Sequence, residues 1–113
     1  MQNYVTLKQN TDFVRAYYRG KSIATPALVV YSMKNSAGVC RVGITTSKKI
    51  GNAVERNRSR RVIRAAFQSV LKNNSIRGDR DLVFVARGKT KYLKSTAVEK
   101  AMITALKELE VIK

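Results

Sequence analysis

The segment Val54-Glu55-Arg56-Asn57-Arg58-Ser59-Arg60-Arg61-Val62-Ile63-Arg64 concentrates the chain's most reactive surface chemistry. Stepped at about 100° per residue, Arg56, Asn57, Arg60, Arg61 and Arg64 fall in one arc; Val62, Ile63, Ala66 and Val70 fall opposite, with Phe67 at the border. A guanidinium forks onto phosphate oxygens through two parallel hydrogen bonds and stacks on a base face. Side by side on a helix, like charges repel by about a few tenths of a kcal/mol per pair, and only Glu55 offsets them. Such a face is costly for folding and suited to a polyanion. A charge run is usually a solvated face. This one is single-signed, nearly all Arg, and continues into Lys48 and Lys49 of the preceding loop, Ser47-Lys48-Lys49-Ile50-Gly51-Asn52.

Aromatic residues form a second group. Phe13 and Tyr17 stand four apart, on one face of a predicted helix, and Tyr31 sits in a predicted strand. Exposed rings beside basic groups make stacking platforms for single-stranded nucleic acid, each worth roughly 1–3 kcal/mol per base. The pattern taken alone favours plain packing of the helix on a sheet. Tyr4, Tyr18 and Tyr92 are less informative.

Composition excludes much else. The 113 residues carry 23 Lys and Arg against 7 Asp and Glu, a formal charge of +16, with no His and one Cys. At 44% apolar the chain is no disordered basic tail but a single folded domain over 1–113. A Ser/His/Asp triad, a Cys/His dyad, a His metal site and an internal disulfide are impossible. The carboxylates are scattered apart from Asp79 and Asp81, which could hold Mg²⁺ but read better as a solvated turn. Cys40 reads as a small buried hydrophobe. Neither a signal-peptide pattern nor an apolar run long enough to span a bilayer is present, so the expectation is a cytoplasmic protein with a nucleic-acid partner and no membrane.

The elements that must position these groups follow from periodicity and turn chemistry. A helix is predicted from about Lys8 to Arg19, ended by Gly20. Pro26 opens a strand through Tyr31, and Lys34-Asn35-Ser36-Ala37-Gly38 is a turn before a second strand, Val39 to Thr45; the two read as an antiparallel hairpin. Ala53 to about Lys72 is helical. Leu82-Val83-Phe84-Val85-Ala86 is a buried strand, Arg87-Gly88-Lys89 breaks it, and Ser95-Thr96 caps a last helix carrying Val98, Met102, Ala105, Leu106 and Leu109. The order α-β-β-α-β-α predicts an α+β sandwich.

The block Ser47 to Val54, then Arg56-Asn57-Arg58, Arg60-Arg61, Arg64 and Phe67, resembles the signature of the bacterial ribonuclease P protein family. The likeness extends to Asp12-Phe13, Val42-Gly43 and Asp81 through Arg87, covering about residues 7 to 110. It implies a two-layer α/β sandwich on a central, mostly antiparallel four-stranded sheet, hence α-β-β-(β)-α-β-α, with a left-handed β-α-β crossover around the Arg-rich helix. It also implies a subunit that binds a catalytic RNA and helps it remove the 5′ leader of precursor tRNA. The RNA would hold the catalytic Mg²⁺ and carry out the hydrolysis. On this resemblance Lys48, Lys49, Arg56, Asn57, Arg58, Arg60, Arg61 and Arg64 face RNA, while Phe13, Tyr17 and Tyr31 line a cleft for the leader. No residue of the chain is expected to be catalytic, and a protein lacking His has no ordinary general base near neutral pH. The competing reading is a non-enzymatic basic RNA-binding protein, such as a ribosomal protein or RNA chaperone. A DNA-binding helix-turn-helix fails, because no short helix and tight turn precede the basic helix.

Overall fold

Leu82-Val83-Phe84 offers no polar position to solvent, so the strand holding it must be covered on both faces and paired on both edges. The computed structural model, which describes residues 4–113, puts it at the centre of the sheet. The elements are β1 (Tyr4–Thr6), α1 (Asn10–Arg19), β2 (Lys21–Ala24), β3 (Leu28–Lys34), β4 (Cys40–Thr45), α2 (Ala53–Asn73), β5 (Arg80–Ala86) and α3 (Ser95–Glu108). Single 3-10 turns occupy Lys48–Ile50 and Thr90–Tyr92. The strand order is β1-β4-β5-β3-β2. Pairings β3–β5 and β2–β3 are antiparallel, whereas β4–β5 and β1–β4 are parallel. The α+β architecture is as expected, but the sheet is evenly mixed rather than mostly antiparallel, and it has five strands.

The expected hairpin does not form. β5 inserts between β3 and β4, with Val30 opposite Phe84 on one edge and Ile44 opposite the same residue on the other. A turn signal between two β runs specifies reversal of the chain. It cannot specify direct pairing when a more apolar strand competes for both edges. β1 and β2 escaped the sequence reading because each is short, half-exposed and at an edge.

Helices cover both faces, so the expected two-layer sandwich acquires a partial third layer. On one face α2 and α3 bury Ile63, Phe67, Val70, Val98, Met102 and Leu106 against Val30, Val42, Leu82 and Phe84. Phe67, placed at the border of the apolar arc by periodicity, is central instead: its ring lies 5.3 Å from Tyr4 and 5.2 Å from Phe84. The other face carries α1 alone, with Ala16, Leu7 and Val83 buried beneath it. α1 approaches the sheet closely because Gly43 lacks a side chain; a Cβ there would sit 2.4 Å from the Phe13 ring. α3 begins at Ser95 after Lys94, with no side-chain cap, so the expected Ser95-Thr96 cap is not used.

The β4–α2–β5 unit joins adjacent parallel strands, and its hand follows from L-chirality. Viewed from the α2 face with β4 pointing up, a residue whose side chain faces the viewer has its carbonyl on the right. Val42 is such a residue, and its carbonyl accepts from Leu7 N–H on the β1 side. β1 therefore lies to the right of β4 and β5 to the left. The crossover is left-handed, against the usual rule.

The start of β5 carries a buried charge. Asp81, wholly buried, accepts from Arg41 Nε and Nη2 at 2.7 Å each and from Asn35 Nδ2 at 2.7 Å. It is not part of the solvated turn expected from sequence; only Asp79, paired with Arg77 and Arg80, has that character. The fork ties β4 and the β3–β4 loop to β5. Cys40 is buried as expected, and burial, assisted by the Asp81 charge, pushes its thiol up to about 11. Asp81→Ala removes the hydrogen bonds from Arg41 and Asn35, leaving Arg41 only Asp12 at 3.9 Å, and is expected to cost about 3 kcal/mol in denaturant unfolding. A loss below about 1 kcal/mol, the scale of an exposed pair, would show that the fork is not structural.

Candidate nucleic-acid interface

The Arg-rich end of α2 is held by a reciprocal cap. Asn52 Oδ1 accepts from Glu55 N–H at 2.9 Å, and Glu55 Oε1 accepts from Asn52 N–H at 3.0 Å, satisfying two otherwise orphaned donors. Gly51 just before it has φ +146°, and a Cβ there would lie 2.3 Å from Glu55 Oε1, so only glycine lets the loop close on the cap. Lys91 completes the arrangement from the Thr90–Tyr92 turn. Its Nζ sits 3.0 Å from Glu55 Oε2 and donates to Ile50 O at 2.6 Å. Buried Thr90 anchors that turn by donating to Ala27 O and accepting from Arg87 N–H. Sequence reasoning missed Lys91 and Thr90. They lie in a stretch that reads only as a strand break, and no local signal points across to residue 55.

This framework divides the predicted RNA-facing residues. Arg56 Nη1 donates to Gly51 O at 2.8 Å and braces the loop, whereas Arg58 Nε donates to Lys91 O at 2.7 Å and braces the Thr90–Tyr92 turn; both keep further N–H donors. Arg58 thus points toward the Thr90–Tyr92 turn, away from the main arc. Arg61 and Arg64 are exposed, and Arg60 is half-buried, with one weak contact of 3.4 Å from Nη1 to Asn57 Oδ1. Lys48 and Lys49 are exposed on a turn pinned by buried Ile50. No carboxylate pairs with Arg60, Arg61 or Arg64 among the described residues, so a row of undischarged guanidiniums faces outward.

The structure also brings Phe13, Tyr17 and Tyr31 together, between α1 and the sheet. The Tyr17 and Tyr31 rings meet edge to face, with centroids 5.0 Å apart. Tyr17 Oη donates to Thr45 Oγ1 at 3.4 Å, and Phe13 rests on Gly43. Tyr17 is 40% exposed, and Phe13 and Tyr31 are half-buried. Thr45 ends β4, and the chain runs directly from there into Lys48 and Lys49. The aromatic cluster and the basic loop are therefore neighbours.

The family model described as ribonuclease P matches residues 1–110. The chain belongs to the ribonuclease P protein family. It is 37% identical over 105 residues to the "Ribonuclease P protein component" of Clostridioides difficile, covering 93% of this chain and 91% of that one. The protein of the same name from Pelotomaculum thermopropionicum is 40% identical over 105 residues, with coverage of 93% and 92%. The structure superposes on Staphylococcus aureus RNase P protein with TM-score 0.80, 36% identity and coverage of 96% and 97%. For Thermotoga maritima RNase P protein the TM-score is 0.74 at 26% identity, covering 88% and 92%. The family and its α+β fold are thus those the Arg56-Asn57-Arg58 block implied.

Among the described residues no group of three or more carboxylates and thiols could hold a metal ion, and no helix is long and apolar enough to cross a membrane. The bond from Asn52 N–H, reinforced by Lys91, holds the Glu55 carboxyl below its ordinary value of 4.5. A carboxyl lowered in the folded state contributes stability above that ordinary value and loses it as pH falls through the lowered one. The thermal midpoint of the native protein should therefore exceed that of Glu55→Gln at neutral pH, and the gap should close on acidification below 4.5. A gap independent of pH would detach the cap from the Glu55 charge.

Proposed function

We propose that this chain is the protein component of ribonuclease P, binding the catalytic RNA and the single-stranded 5′ leader of precursor tRNA and so promoting endonucleolytic release of the mature tRNA 5′ end. The observation that carries this reading is the placement of Tyr17 and Tyr31, partly open, where β4 runs into the Lys48-Lys49 loop and the α2 guanidiniums. One surface thereby offers a sequence-tolerant stacking platform and, beside it, phosphate-binding forks.

The division of labour follows from the side chains. Lys48, Lys49, Arg60, Arg61 and Arg64 engage phosphates, and Asn57 adds an amide donor and acceptor beside them. Arg56 and Arg58 hold the loop and the Thr90–Tyr92 turn in register while presenting their remaining donors. Phe13, resting on Gly43, supports the cleft wall, and Tyr17 and Tyr31 receive the leader. Mg²⁺ held by the RNA would supply the activated water and would stabilise charge at the scissile phosphate. The protein holds the substrate strand in place and neutralises charge where RNA strands converge. This activity belongs in the cytoplasm, with no membrane or DNA partner.

Reconstitution with the catalytic RNA tests the reading directly: the protein should permit leader removal at Mg²⁺ concentrations where the RNA alone is slow. A ribosomal protein or RNA chaperone would bind RNA without that effect. Tyr17→Ala should weaken affinity for leader-bearing precursor tRNA by about 5- to 150-fold, the equivalent of one stacking contact of roughly 1–3 kcal/mol, while leaving mature tRNA affinity nearly unchanged. A half-open ring costs less to truncate than a buried one, which loses about 3–5 kcal/mol of stability. A strongly destabilised Tyr17→Ala protein with an unchanged precursor-to-mature ratio would leave Tyr17 as packing alone.

Salt dependence tests the α2 face. Arg61→Ala should reduce the magnitude of the log K against log salt slope for catalytic RNA by about 1. Its thermal midpoint should hold or rise, because a like-charge contact is relieved. An unchanged slope and affinity would mark the face as merely solvated.

A further inference from the structure

α1 divides its face of the sheet into two unlike grooves. One flank carries Phe13 and Tyr17. On the other flank Arg15 and Arg19 look across a hollow of about 900 Å³ toward Lys34, Arg41 and Arg80, at the end of β3 and the starts of β4 and β5. Its charges are only partly answered. Arg15 and Arg41 lie within 4 Å of Asp12, Arg41 is forked to Asp81, and Arg80 lies 3.7 Å from Asp79. Glu110 also lines the hollow. Arg19, Lys21 and Lys34 have no acidic partner among the described residues.

A cluster of cations without acidic partners suits an anion with several oxygens. The outer surface of α1 between the grooves presents Tyr18, 86% exposed, and Val14, 38% exposed. An exposed ring flanked by Arg15 and Arg19 suits a base whose phosphates lie on the basic side. The helix is about 10 Å wide, a short crossing for a single strand.

We propose that this second groove binds the phosphodiester backbone of single-stranded RNA: the distal part of the leader, which leaves the aromatic cluster, crosses α1 over Tyr18 and lies along Arg19 and Lys34. The inference rests on the leader reading above and extends it to a part of the surface, on the far side of α1, that the aromatic cluster does not use. It makes affinity depend on leader length as well as on the presence of a leader.

The test uses the assembled holoenzyme and precursor tRNAs with leaders of about 4 and about 16 nucleotides. The native enzyme should bind the long-leader substrate more tightly. The double variant Arg19→Ala/Lys34→Ala should abolish that margin while leaving the short-leader substrate and assembly with the catalytic RNA unchanged. Its salt slope for the long-leader substrate should be shallower by about 0.7 per lost contact. Both side chains are exposed, and Arg19→Gln/Lys34→Gln should repeat the result if alanine disturbs folding. A margin retained in both variants, or no margin in the native enzyme, overturns the proposal. Equal weakening of assembly with the catalytic RNA overturns it too, assigning the groove to that RNA. Failure of the native enzyme to distinguish leader-bearing from leaderless tRNA would instead overturn the leader reading itself.

Discussion

Burial of β5 on both faces is the constraint from which the rest of the molecule follows. Leu82, Val83 and Phe84 are completely shielded, which requires a neighbour on each edge and a helical cover above and below. β3 and β4 must therefore part to admit β5. The chain must also travel from β4 to a parallel neighbour through α2, and α1 must close the opposite face. The left-handed crossover is the geometric result of placing α2 on the face where Phe67 can meet Phe84 while β1 occupies the other edge of β4.

The same constraint places the candidate binding surfaces. α2 packs through Ile63, Phe67 and Val70, so its opposite arc, with Arg60, Arg61 and Arg64, has nowhere to go but solvent. The helix tolerates that charge because its apolar stripe is deeply anchored and because its first turn is capped by Asn52 and Glu55. Close approach of α1 over Gly43 brings Tyr17 to Tyr31 and leaves both rings partly open. The core contacts and the exposed basic and aromatic groups thus lie on opposite faces of the same elements.

Positive charge is handled in two ways. Near Asp81 and Glu55 it is spent on structure: Arg41 clamps the start of β5, and Lys91 ties one turn to the α2 cap. Elsewhere it is left unpaired, on the α2 arc and along the far flank of α1. A net +16 chain repels itself, and a polyanion relieves that repulsion on binding. Strong salt dependence follows from this arrangement, independent of any base-specific contact.

Local sequence was sufficient for α1, α2, α3, β5 and the outward arginine arc, because each depends on periodicity within a single segment. The Arg56-Asn57-Arg58 block was likewise sufficient for the family, and the absence of His excluded His-dependent triads, dyads and metal sites. Partners distant in sequence required the folded chain. Whether Val39 to Thr45 pairs with β3 or β5 depends on competition among strands, which no single window contains. The role of Asp81 as a buried anchor needs Arg41 and Asn35 beside it, and the bracing of the α2 cap needs Lys91, 36 residues beyond Glu55 in the chain. Phe13, Tyr17 and Tyr31 could have been core or cleft by pattern. The depth to which α1 settles on Gly43 decides, because burial is a property of packed surfaces and not of the residue spacing that precedes them.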